Sequence, residues 1–222
     1  IPAYLQAKRG SHVVITTIMF NFIASSLMVF LLVDVIRDFK QMGPHTVALP
    51  KELWFPTFKE LAHLFGVKIR YSPLNLSFLI AIAASFFVWF LIWKTKWGYE
   101  MRAVGHNTKA AIYAGISPHK NIIIAMLISG GLAGMLGINE ILGVHHKIVA
   151  GFPAGYGFTG IAVALMGRNH PIGIFPAAFL FGILYQGGSE VTFDMPNITR
   201  YMFVAVQGVI ILFSGALENL FR

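Results

Sequence analysis

The sequence predicts an all-α polytopic membrane protein with about six transmembrane or broken helices, and three observations carry that expectation. Of 222 residues, 56% are hydrophobic and only 12% charged, where a soluble domain carries about a quarter. The mean hydropathy is +0.70. The apolar residues also fall in long runs with most charges gathered between them, as expected where lipid is the solvent.

Val13 to Val33 is 21 residues without a charge, enough to cross a hydrocarbon core about 30 Å thick. Thirteen of these are Leu, Ile, Val or Phe, which outweighs Asn21 at its middle. Asn21 suits a hydrogen bond between helices and is a candidate for the translocation path. Leu74 to Trp93 is a second span, with Trp89, Trp93 and Trp97 as an aromatic belt. Ile122 to Ile138 is a third, carrying Gly130, Gly131 and Gly134 as a small-residue face for close packing.

Beyond it the apolar runs shorten to Phe158–Met166, Ile172–Tyr185 and Met202–Leu217. The first is too short to span alone. Residues 151–166 read either as a broken or re-entrant helix near a pathway, or as a loop and one short tilted helix. Under the first reading Gly155, Gly157 and Phe158 border the path. Asn139 and Glu140 end the third span, and an ionisable group there is a candidate path residue because burying its charge in lipid is costly. Gly143 and His145 follow at once, which places Glu140 near the outer interface.

Six crossings alternate sides. With Lys8 and Arg9 inside, the cytoplasmic side carries nine Lys and Arg and the outer side eight. The short inner loops are the denser ones, where the positive-inside rule operates. Residues 34–73 form an extracytoplasmic excursion. Within it Thr57 and Glu60 make a capping box, and Phe58, Leu61, Leu64 and Phe65 share one helical face that Gly66 would close. This is read as an interfacial helix, a lid over the bundle, with docking of an extracytoplasmic partner as the alternative.

Several chemistries lack residues. There is no cysteine, which excludes disulfides, thiolate metal sites and cysteine nucleophiles. Gly155-Tyr-Gly157-Phe-Thr-Gly160 matches the dinucleotide fingerprint literally, but no strand precedes it and position 180 is Leu rather than an acid. No phosphate-cradling loop ending in Gly-Lys-Ser/Thr occurs. His145 and His146 have no third ligand at metal-site spacing, and no Ser/His/Asp set stands out, so neither a metal nor a catalytic residue is assigned. The net charge of +8 is scattered between apolar runs rather than arranged in a stripe, which argues for anionic lipid and against nucleic acid. The chain opens Ile1-Pro2, so it is expected to be N-terminally truncated, residues 1–222 making one transmembrane domain.

The most informative stretch is the basic loop 94–120, expected on the cytoplasmic side. Asn107 can cap a helix over residues 108–114 that Gly115 ends, and Ser117 can cap the next, with Pro118 in its first turn. A helix of about seven residues is unstable alone, since isolated helices below ~12–15 residues are marginal in water. It needs a partner. Ala110, Ala111 and Ala114 beside Tyr113 form a small face suited to a protein groove.

Here the sequence resembles the permease subunits of bacterial ATP-binding cassette importers. Ala110-Ala111-x-x-x-Gly115 is similar to the core of the importer coupling loop, and Lys109 in place of glutamate fits the ribose and branched-chain amino acid permease family. The wider pattern Gly98-x-x-x-Arg102-Ala-x-Gly105-x-Asn107 resembles that family too. Gly157-Phe158-Thr-Gly160 through Gly167-Arg168-Asn169-His170-Pro171 resembles members serving nucleosides, whose receptors are lipoproteins of the basic membrane protein type. The resemblance implies an importer permease for nucleosides or related sugars in the cytoplasmic (inner) membrane. It implies Gly98, Arg102, Gly105, Asn107, Ala110, Ala111, Tyr113 and Gly115 as the ATPase-coupling residues. The implied partners are a cytoplasmic ATPase that uses the ATP, a second permease subunit, identical or not, and an extracytoplasmic substrate-binding lipoprotein. No cofactor is expected on this chain. A secondary transporter or channel subunit for a small polar solute is the competing reading; it would call for inverted repeats and intramembrane charges, which are sparse.

Overall fold

The computed structural model describes residues 1–37, 43–59, 74–151, 155–194 and 200–218. It falls into two compact units, residues 1–152 and 153–222.

The first unit opens with α1 (Pro2–Arg9), a short helix the apolar runs do not announce. Proline sits in its first turn, and Gly10 closes it in the left-handed region (φ 66°), donating to the Gln6 carbonyl. α2 (Val13–Phe30) is prolonged by a wider π turn over Leu31–Val35, where Ile36 N–H reaches back five residues to Leu31 O at 2.9 Å. Together these 23 residues span roughly 34 Å at about 1.5 Å each, enough for a bilayer. The hydroxyls of Thr16 and Thr17 donate to His12 O and Val13 O, so neither is left unpaired in the apolar run.

α3 (Ser77–Lys94) starts three residues later than the sequence suggests and stops at Thr95. α4 (Lys96–His106) and α5 (Thr108–Tyr113) follow, then α6 (Pro118–Ile138). The third apolar run was expected to end at Ile138. Instead the helix continues through a π turn over Asn139–His145, so 28 residues form one candidate span. The end is supplied by His146, which takes a left-handed conformation (φ 54°) and donates from Nδ1 to Leu142 O.

Within this unit α1 packs on α2 and α6, α3 on α4, and α4 on both α5 and α6. The C-terminal end of α2 lies beside Ile148, with which Ala24, Leu27, Met28, Leu31, Leu32 and Ile36 line an apolar cavity of about 230 Å³. The start of α3 lies beside the end of α6, where the Ser77 hydroxyl meets Asn139. One end of the unit thus carries the finish of α2, the start of α3 and the finish of α6. The other carries α4, α5 and the loop Lys8 and Arg9 border.

At the first of these ends, residues 43–59 form a strap. His45 pairs with Val149, Thr46 N–H donates to Ile148 O and Leu49 N–H to His146 O, and Phe55 N–H reaches Leu142 O at 3.1 Å. Farther along, Phe58 N–H donates to Leu74 O and Leu76 N–H to Pro56 O, which fastens the strap to the start of α3. Trp54 lies flat on His146, rings 3.7 Å apart, and its indole N–H donates to Leu49 O. The capping-box helix expected from Thr57 and Glu60 to Gly66 lies outside the described residues from position 60 on.

The second unit contains α7 (Tyr156–Met166), α8 (Pro171–Asp194) and α9 (Arg200–Glu218), mutually packed. α8 runs nine residues beyond the expected end at Tyr185, through Gly187 and Gly188. A Cβ at Gly188 would overlap the Phe203 ring, so glycine there admits close approach of α9. All six apolar runs are helical. Among the described residues four helices are long and apolar enough to cross a membrane, while α7, with 11 residues, is too short.

Candidate coupling site

The corner between α3 and α6 holds the residues singled out in the loop 94–120. Thr95 breaks the helix there: its hydroxyl donates to Leu91 O at 2.6 Å and accepts from Gly98 N–H at 3.2 Å, ending α3 and capping α4 together. Gly98 is buried in the turn, where a Cβ would overlap the carbonyl oxygens of Leu91 and Ile92. Its place in the motif has a local steric cause.

α5 is framed at both ends. Asn107 is extended (φ −153°, ψ 104°), its Oδ1 accepts from Ala110 N–H at 3.1 Å, and its own N–H closes α4 on Ala103 O. At the other end Gly115 lies in the left-handed region (φ 78°). Gly115 N–H donates to Ile112 O and Ile116 N–H to Ala111 O, the paired bonds of a Schellman stop. Six residues are therefore held helical by caps and by contact with α4 and α6.

The three alanines do not share a face. Ala111 is buried against the chain itself, while Ala110 and Ala114 point outward with Tyr113, which is 94% exposed. Arg102, Gly105 and Lys109 are also exposed, and a Cβ at Gly105 would meet nothing. Beside α5 an open groove of about 520 Å³ is lined by Thr108, Ile112 and residues 115–119.

One expectation at the start of α6 needs correcting. Ser117 stands before α6 but its side chain makes no cap bond. Asn121 serves that turn instead: its Nδ2 donates to Ser117 O at 3.1 Å and to the Glu100 carboxylate on α4 at 3.4 Å. Asn121 is 3% exposed. In the sequence one Asn in a helix's first turn looks like a solvated polar residue, so nothing local marks it.

The candidate path residues fall in both units. Asn21 lies exposed in α2. Glu140 is 7% exposed, its carboxylate 3.5 Å from both Asn139 Nδ2 and His145 Nε2. With the half-buried Asn139, the buried Asn75 and Ser77 it forms a polar knot beneath the strap. Gly155, in the left-handed region (φ 81°), immediately precedes α7, where Gly157 and Phe158 are exposed. Among the described residues no three His, Cys, Asp or Glu side chains are grouped to hold a metal ion.

The family model described as "Branched-chain amino acid transport system / permease component" matches residues 1–215. The chain belongs to this family. It is accordingly a multi-pass permease component of the inner membrane. The permease is 36% identical over 214 residues to the guanosine ABC transporter permease protein NupP of Bacillus subtilis (strain 168), covering 96% of this chain and 59% of that protein. It is 34% identical over 209 residues to the nucleoside ABC transporter permease protein NupB of Lactococcus lactis subsp. cremoris (strain MG1363), covering 93% and 57%. It is also 34% identical over 221 residues to the glucose ABC transporter permease protein TsgB13 of Haloferax volcanii, covering 96% and 56%. The chain thus spans little more than half the length of these relatives. No solved structure matches it.

Proposed function

We propose that this permease forms half of the translocation pathway of an ATP-driven importer for nucleosides or related sugars. A cytoplasmic ATPase grips α5, and ATP-driven closure of that ATPase moves residues 107–115 as a lever that switches the spans between outward- and inward-facing states. A second permease subunit supplies the other half of the path, and an extracytoplasmic substrate-binding lipoprotein delivers the solute. The nucleotide is bound and hydrolysed by the partner, so this chain needs no cofactor. Residues 94–120 then face the cytoplasm, and the strap within 34–73 faces outward.

The observation that carries this reading is α5 itself. A six-residue helix capped at both ends, with Tyr113 94% exposed at its tip, presents an aromatic anchor beside small side chains. Such residues dominate protein interfaces. The names of the relatives support the nucleoside and sugar classes. The test is uptake of radiolabelled guanosine and glucose by the full complex in liposomes. Uptake that requires ATP supports the proposal; uptake that persists without ATP and collapses with the proton gradient contradicts it.

A further inference from the structure

We infer that Asn121 and Glu100 are positioning residues for energy coupling, a polar tie that makes α4, α5 and α6 move as one piece. The inference rests on the importer reading above, and it concerns residues outside the motif that suggested that reading.

A lever transmits force only if its joints do not bend. α5 is joined to α4 through the single extended residue Asn107, and to α6 through Ala114, Gly115 and the two residues after it. Each joint is held by cap bonds local to it, one set at Asn107 and one at left-handed Gly115, and none of these bonds links α4 to α6. A push on α5 would be absorbed there unless α4 and α6 were also fastened to each other. Asn121 provides that fastening. Its Nδ2 bonds Ser117 O within its own helix and Glu100 on α4, 21 positions earlier.

Burial makes the tie specific. Asn121 is 3% exposed, so the bonds its amide makes are not readily exchanged for bonds to water. The Glu100 side chain is 23% exposed, and Lys96, one turn earlier on α4, stands 4.0 Å from its other oxygen. That lysine is 86% exposed and lies on the same helix, so it orients the carboxylate without linking α4 to anything else. The α3–α4 joint is already rigid through Thr95 and the close approach at Gly98. The tie completes a continuous path from α5 into both α3 and α6.

The experiment uses the full-length permease with its second subunit and ATPase in liposomes, reading ATPase retention, ATP hydrolysis and solute uptake, with guanosine and glucose as probes. Glu100→Ala leaves the buried Asn121 bonded to Ser117 O, so the fold is kept while the cross-helix bond and the exposed Lys96 contact are lost. Asn121→Leu removes both bonds at similar volume. Both variants are expected to retain the ATPase and hydrolyse ATP while uptake per ATP falls about fivefold or more, whereas Glu100→Gln, whose amide oxygen still accepts from Asn121, stays within about twofold of wild type. Unchanged uptake per ATP in Glu100→Ala overturns the tie, even if thermal stability drops, because the bond is then structural alone. A wild-type complex that fails to retain the ATPase overturns the importer reading and the tie with it.

Discussion

Gly98 and Gly105 stand seven positions apart in the same motif and answer to different constraints. At Gly98 a side chain would strike two carbonyl oxygens of the preceding helix, while at Gly105 it would enter open space. Gly98→Ala is therefore expected to destabilise the permease by about 1–3 kcal/mol through overpacking. Gly105→Ala, on an exposed turn of α4, should be neutral or stabilise by about 0.5–1 kcal/mol. Thermal unfolding in detergent of the two variants checks both, and equal losses would show that the corner at Gly98 is looser than its geometry indicates. The glycines were legible as motif letters, but what each must avoid depends on where the helix before it ends. That is set by Thr95, whose hydroxyl serves two helices at once.

At the scale of elements, the strap 43–59 is held largely by backbone bonds to Leu142, His146 and Ile148 and by the Trp54–His146 stack. Removing the Trp54 ring takes away both that stack and the indole bond to Leu49 O. Trp54→Ala is expected to raise amide exchange at Thr46 and Leu49 by about tenfold, the loss of roughly 1.4 kcal/mol of local stability, with exchange in α3 unchanged. Hydrogen–deuterium exchange with mass spectrometry reads this directly; unaltered exchange at both amides would show the strap stands on its backbone bonds alone.

The strap also shows what sequence reading reaches. Apolar runs announce spans because lipid penalises every charge in them, and Asn107 and Gly115 announce α5 because caps act within four residues. Pairings such as His45 with Val149 are non-local and leave no periodic trace. The π turn over Asn139–His145 escaped for another reason: a polar Asn-Glu pair after an apolar run looks like a helix end. Here Glu140 is buried, Asn139 is half-buried and meets Ser77, and the helix carries on. Asn121 was invisible because its partner Glu100 comes from a different helix.

For the molecule as a whole, the two ends of the first unit differ in kind. One bears the strap and the polar knot; the other bears α4, α5 and the basic residues of the loop 94–120. Positive charge in short loops favours the cytoplasmic side. The absence of cysteine from residues 1–222 makes the assignment simple to examine. In intact cells an impermeant maleimide is expected to label Leu53→Cys, which is 54% exposed on the strap, and to leave Lys109→Cys unlabelled until the membrane is opened. The reverse pattern would invert the topology and place α5 out of reach of any cytoplasmic ATPase.

The central claim is that α5 docks an ATPase through its outward face. Ala111 lies inside the chain, so changing it would disturb the fold and report little about docking. Tyr113 is the discriminating residue, since 94% of it is exposed and no ring contact to it occurs among the described residues. The most direct measurement is the affinity of the full-length permease complex for its ATPase in detergent, wild type against Tyr113→Ala. The account predicts affinity lower by about tenfold or more, the effect of removing an interface anchor worth roughly 1.4 kcal/mol or more, with the permease unfolding temperature unchanged. Wild-type affinity in Tyr113→Ala would contradict it.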